Sequence, residues 1–308
     1  MTDYRRIHKV IKSRPTIEGA GVHLHRAIGF GDPQTFDPFL LLDDFRSDTP
    51  QDYLKGFPWH PHRGIETITY VLTGDVEHGD SMGNGGVISA GDVQWMTAGS
   101  GIIHQEMPKG DAQGKMYGFQ LWANLPASHK MMDPRYQGIT SAQIPEVTDA
   151  DGNKVKIICG EVHGTHGPVQ DIVTNPEYLD ITVMPGATFT HPTPRGHTVC
   201  AYVIEGRGEF CRQRDPYSYE VEGENYVDME REPLLTNRHL ALFDDGEAIS
   251  VRAEEEPVRF LLMSGKPIRE PIAWHGPIVM NTQQELRTAF EELQRGTFIK
   301  SQDRRSLP

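Results

Sequence analysis

Apolar residues in this chain come in short runs, many of them alternating with polar ones, and glycine or proline interrupts them at close intervals. Strict alternation places every second side chain on one face of an extended strand, so the pattern predicts half-buried strands rather than helices. Val71-Leu72-Thr73-Gly74-Asp75-Val76 reads as strand, turn and strand. Val203-Ile204-Glu205-Gly206-Arg207-Gly208-Glu209-Phe210 repeats that form. With 31 glycines and 22 prolines available for turns, strands this dense predict an all-β chain of sandwich or barrel type. One segment departs from the pattern. Thr282 and Glu285 have capping-box spacing, and Leu286, Ala289, Phe290 and Leu293 then share one helical face. A short helix over about 282–295 is expected, closed by Gly296 and packed against the first barrel.

The repeated hairpin hints at an internal duplication. THPTPRGHTVCAYVIEGRGEF (Thr190–Phe210) and HLALFDDGEAISVRAEEEPVRFLLMSG (His239–Gly265) read as worn copies of two earlier blocks. A chain of 308 residues has room for two such barrels, each large enough for its own core. Pro126, Pro134 and Pro145 break the pattern between Leu125 and Pro145, so the expected domains are 1–135 and 136–308.

Candidate chemistry concentrates between Phe57 and Pro108. His60 and His62 flank Pro61, and His104 and Glu106 flank Gln105. On strands, each pair sends both side chains to the same face. Two such strands facing one another would gather three imidazoles and a carboxylate, a set suited to a divalent first-row metal such as iron; a structural zinc site more often uses thiolates. A lone His-x-His is a weak signal, because histidines often serve as polar residues at strand ends. His23-Leu24-His25 has the same spacing without a His-x-Glu pair nearby, and reads as part of an ordinary strand. Glu66 has the numerical parity of His60 and His62, and is expected to point inward as a hydrogen-bonding residue rather than a ligand. The later copy has no two-residue histidine pair and no His-x-Glu after Gly246, and His191 and His197 have no evident partner. One metal per chain follows, with apolar side chains expected where the first half keeps its ligands. Gly83-Asn84-Gly85-Gly86 lies between strands rather than before a helix, so it reads as a loop and not a nucleotide cradle. Glu254-Glu255-Glu256 reads as a solvated turn.

HPHRGIETITYVLTG and GDVQWMTAGSGIIHQEMP together resemble the paired motif of the cupin superfamily, and more specifically the signature of the pirin family. DPFLLLDDF, KMMDPRYQ and REPIAWHGPIVMNT match pirin-like sequence in the same order, so the resemblance spans nearly the whole chain. It implies a bicupin, two jelly-roll-like β-barrels of which only the first holds metal. It also implies one ion, usually iron(II) with other first-row divalent metals possible, bound by His60, His62, His104 and Glu106. Some pirin-like proteins are similar to quercetin dioxygenases. By that likeness the chain would open the heterocycle of a flavonol with dioxygen, with Glu106 as ligand and proton acceptor. The alternative that the resemblance carries is a non-enzymatic, iron-dependent redox sensor that binds a protein partner in transcription or metabolism.

Charge and cysteine content narrow the setting. A net charge of −13, from 43 acidic and 30 basic residues, argues against direct binding to a nucleic-acid backbone. Cys159, Cys200 and Cys211 are odd in number and lack CxxC spacing, which points to reduced thiols. The first twenty residues hold no apolar run fit for a signal peptide, and no stretch reaches membrane-spanning length. A cytoplasmic monomer with no membrane contact is the expectation.

Overall fold

A computed structural model of the chain describes residues 2–31, 33–212, 215–222 and 232–300. Its regular structure is mostly β, with one α-helix among the described residues. The chain divides into two compact units, residues 15–141 with 268–308, and residues 1–14 with 142–267. This differs at both chain ends from the sequential halves 1–135 and 136–308 read from the sequence. The physical reason is strand pairing. Ile7–Lys12 runs antiparallel to His239–Phe243, which ties the first residues to the later barrel. The hairpin Ala273–His275 and Ile278–Met280 packs with the helix among residues of the earlier one. Proline breaks mark where a pattern stops; they carry no information about which distant strand a terminal segment joins.

The unit that carries the histidine motifs is built on two sheets. One has seven strands, in the order Arg135–Ile139, Val93–Thr97, Ile65–Thr73, Tyr117–Asn124, Phe39–Asp44, Val22–Ile28 and Arg14–Glu18. The other has four: Phe57–His62, Ile102–Lys109, Asp75–Asp80 and Gly85–Ile88. The glycine-rich stretch at 83–86 is therefore the turn and the start of a hairpin strand. Ile65, Met96, Ile102 and Trp122 form a buried cluster that joins the sheets, and Val22, Val71, Val76 and Ile88 form another.

The helix, Gln283–Gln294, has the capping box that the sequence announces: Thr282 accepts from the Glu285 amide while the Glu285 carboxylate accepts from the Thr282 amide. Gly296, at φ 68°, follows the cap residue Arg295; its amide bonds Leu293 and the Thr297 amide bonds Glu292, which is a Schellman ending. Leu286 and Ala289 are buried with Ile278, Met280 and Phe298, and Ile103 of the His104 strand packs on that cluster.

The other unit has an eight-stranded sheet, running from Glu146–Thr148 to Glu220–Glu222 in pairing order, and a four-stranded sheet of Thr188–Pro192, Ala248–Ala253, Arg207–Phe210 and Leu234–Thr236. Its interior is apolar: Leu179, Phe189, Val199, Ile249, Val251, Phe260 and their neighbours form one buried cluster. Cys159, Cys200 and Cys211 are all buried. The acidic run at 254–256 is an exposed turn between two strands. No described helix is long and apolar enough to cross a membrane.

Candidate metal centre

Ile102–Lys109 lies between Phe57–His62 and Asp75–Asp80, and its burial alternates so that Ile102, His104, Glu106 and Pro108 turn inward. In the antiparallel register His104 stands opposite His60, and Ile102 opposite His62. Three imidazoles thereby meet, with potential ligand atoms all within 4.8 Å of one another. His62 and His104 are buried and His60 is half-buried.

Two backbone carbonyls set the ring tautomers. His60 Nδ1 is 2.8 Å from the Pro58 oxygen, and His62 Nδ1 is 3.1 Å from the Pro277 oxygen. A carbonyl only accepts, so each Nδ1 carries the proton and each Nε2 presents its lone pair. Those two Nε2 atoms are 3.0 Å apart. Lone pair against lone pair at that distance repels unless a cation is shared between them. His104 Nε2 is buried and has no hydrogen-bond partner in the protein. Burial, and then the neighbouring histidines, push the His62 and His104 pKa values well below the usual range. Both rings are thus neutral at physiological pH, with lone pairs open to a cation. The donor set fits a single metal ion, and these carbonyls hold its rings in orientation.

Glu106 does not join the close group of nitrogens. The register slips between His104 and Glu106, which places Glu106 opposite Phe57. Its buried carboxylate accepts from Thr69 Oγ1 at 2.6 Å and from Gln120 Nε2 at 2.8 Å. Trp122 Nε1 in turn donates to Gln120 Oε1 at 2.9 Å, and the Trp122 ring stands edge-on to His62. Each carboxylate oxygen keeps a further lone pair, so the set is compatible with a swing of Glu106 toward the imidazoles.

Glu66 corrects the parity reading. A turn at Arg63 and Gly64 separates the histidine strand from Ile65–Thr73 and resets which numbers face inward. Gly64 has φ 78°, and a Cβ there would lie 2.0 Å from the Val279 oxygen, so only glycine serves. Thr69 reaches Glu106; Glu66, three positions earlier on the same strand, takes the opposite face and accepts from Thr97 Oγ1 at 2.7 Å. Burial pushes its carboxyl up to about 7. Lys130, also buried, donates to the Gly64 and Val279 carbonyls and to Asn124 Oδ1, and so pins this turn.

The sequence reading missed Thr69, Gln120 and Trp122, and also a stacked pair, His78 and Tyr136, with Tyr136 Oη 3.0 Å from His78 Nε2. His78 is the cross-strand neighbour of Glu106. Only Thr69 and Gln120 had any signal, as polar positions inside apolar strands. His23 pairs with Asp52 at the surface and takes no part.

In the later barrel the same pairing is visible with other residues. His191 stands opposite Ile249, and Phe189 opposite Val251. Ile249 and Val251 therefore occupy the places of His104 and Glu106, and Thr193, two residues after His191, that of His62. His191 and His197 do have partners: His191 Nε2 is 3.0 Å from Glu177 Oε1, and His197 Nδ1 is 3.3 Å from Ser264 Oγ.

A cavity of about 430 Å³ opens onto His60 and His62. Phe30, Leu41, Phe57, Trp59 and Trp122 wall it, and Gln120 lies in its lining. Size and apolar lining are those of a small-molecule pocket.

Comparison with known proteins agrees with this architecture. The pirin family model matches residues 21–123, and the model of the pirin C-terminal cupin domain matches 178–299. A Pseudomonas aeruginosa protein, named provisionally as a quercetin 2,3-dioxygenase, is 42% identical over 96% of this chain and 99% of its own length. A pirin-like protein of Caulobacter vibrioides is 41% identical over the same shares. Among solved structures, a quercetin 2,3-dioxygenase from Acinetobacter baumannii aligns with a TM-score of 0.82 at 31% identity, covering 96% of this chain and all of that one. With two cupin-type domains, a histidine triad in the first and relatives matched along nearly its full length, the chain belongs to the pirin family.

Proposed function

We propose that the protein is an iron-dependent dioxygenase that opens the heterocycle of quercetin or a related flavonol with dioxygen. The observation that carries this reading is the aromatic-walled cavity that opens onto His60 and His62 of the imidazole triad, since a metal kept only for structure or sensing needs no such pocket. The relatives named for quercetin 2,3-dioxygenase support it.

His60, His62 and His104 would hold the ion, with Glu106 as a fourth ligand. When bound, it supplies Lewis acidity toward a substrate hydroxyl and reactivity with dioxygen. The chain does the rest. Phe57, Trp59 and Trp122 receive the planar rings and exclude water. Glu106 accepts the proton of the 3-hydroxyl, which leaves the flavonol as its reactive anion. Thr69 and Gln120, by donating to Glu106, fix the direction in which that proton travels. Each acts through the carboxylate and is a positioning residue.

The test is oxygen uptake and loss of flavonol absorbance when iron-loaded protein meets quercetin in air, beside a metal-free control. Turnover by the loaded protein alone is expected. No turnover of any flavonol would overturn the reading and favour the sensor role.

A further inference from the structure

The cavity wall carries a charged cluster that the proposed chemistry leaves unused. Glu18, Arg26 and Asp43 project from three adjacent strands of the seven-stranded sheet, and all three line the cavity with His60 and His62. The Arg26 guanidinium forks onto Asp43, with Nε to Oδ1 at 2.8 Å and Nη2 to Oδ2 at 2.7 Å. Its Nη1 donates to Glu18 Oε1 at 2.8 Å. Asp43 is buried and has both oxygens engaged by Arg26. Glu18 gives the guanidinium one oxygen, and its side chain is 40% exposed. One cation thus faces two carboxylates, so the cluster has a surplus of acceptors and of negative charge. An aromatic carboxylate would be repelled there; a neutral hydroxyl would find an acceptor already held in place. The other walls (Phe30, Phe57, Trp59 and Trp122) suit flat rings.

We infer that this cluster is a hydroxyl-recognition subsite, in which Glu18, positioned by Arg26, accepts a hydrogen bond from a ring hydroxyl of a planar polyphenol. The inference rests on the flavonol reading and sharpens it: the preferred substrate carries hydroxyls on the ring remote from the one that meets the imidazole triad. Asp43 serves as the anchor of Arg26 and does not itself touch the ligand.

The test is a cycle between protein and ligand. Dissociation constants are measured without oxygen on metal-loaded protein for quercetin and for galangin, the same flavonol without pendant-ring hydroxyls. A hydrogen bond to a charged group is worth at least about tenfold in affinity, so wild-type protein is expected to prefer quercetin by about tenfold. In Glu18→Ala that preference should vanish while galangin binds as before, and Glu18→Gln, with an uncharged acceptor, should restore part of it. Arg26 keeps its fork on Asp43 in both variants, and an unchanged melting temperature checks that they fold. Equal affinities in the wild type, or a preference that survives in Glu18→Ala, would overturn the subsite and leave the flavonol reading standing. If neither flavonol binds, the flavonol reading falls and the subsite falls with it.

Discussion

The two barrels of this chain pose the same strand pair in two chemistries. In the first, His60 faces His104 across the pair, with Glu106 two residues on. In the second, His191 faces Ile249, with Val251 two residues on. One histidine of the set survives in the second barrel, and it has turned to Glu177. The difference teaches that pairing and inward alternation do not by themselves make a site. In the first barrel, two carbonyls fix the tautomers of His60 and His62 and leave the lone pairs converging. In the second, Ile249 and Val251 belong to the apolar core, where a ligand set would be stranded charge.

The largest effect is expected at Glu106. Glu106→Gln keeps size and one oxygen donor while removing nearly all basicity. General-base loss costs about 10²–10⁴-fold in rate, so an iron-reloaded mutant should turn over flavonol at least about a hundredfold slower. Wild-type turnover by the fully loaded mutant would remove the proton-acceptor role. Next in size is Gln120→Leu, which strips one donor from the Glu106 carboxylate. Partners of this kind are worth about 10–100-fold in metal affinity or activity, and competition with a chelator should find a loss in that range. An unchanged affinity and rate would show that the amide does not position Glu106.

Forcing the second barrel to imitate the first sharpens the contrast. Ile249→His with Val251→Glu buries two polar groups without partners, and should destabilise the protein by roughly 2–5 kcal/mol in denaturant melts without adding a second metal. The counterpart of His62 is still missing there, because Thr193 is committed to Arg5 Nε at 2.7 Å.

The smallest effect on metal is expected at Glu66, which takes the far face of its strand. Glu66→Gln should leave metal content unchanged. Its folded pKa, about 7, lies above the ordinary carboxyl value of 4.5. The stability that it contributes is therefore present below pH 4.5 and lost as pH rises through 7. Melts at pH 8 should show the Gln variant more stable than wild type, by on the order of 1–3 kcal/mol, and no gain at pH 4. Reduced metal content in that variant would place Glu66 back at the site.

Much of this was legible in the sequence, because strands and their faces are local. Alternation marked the strands, and the two-residue spacings marked which histidines travel together. Glu66 has the buried hydrogen-bonding role expected of it, but its facing was misread, because numerical parity holds only along an unbroken strand and Gly64 ends that one. Gln120 and Trp122 were missed because their meaning depends on a neighbouring strand far away in sequence. The division into units escaped for the same reason: nothing local in IHKVIK says that it pairs with His239–Phe243.

Metal content per chain tests the central claim most directly. After reconstitution and removal of excess ion, elemental analysis should find one equivalent in the wild-type protein, one in His191→Ala, and close to none in His104→Ala. Two equivalents in the wild type, or a full equivalent retained by His104→Ala, would contradict the assignment of the metal to the first barrel alone.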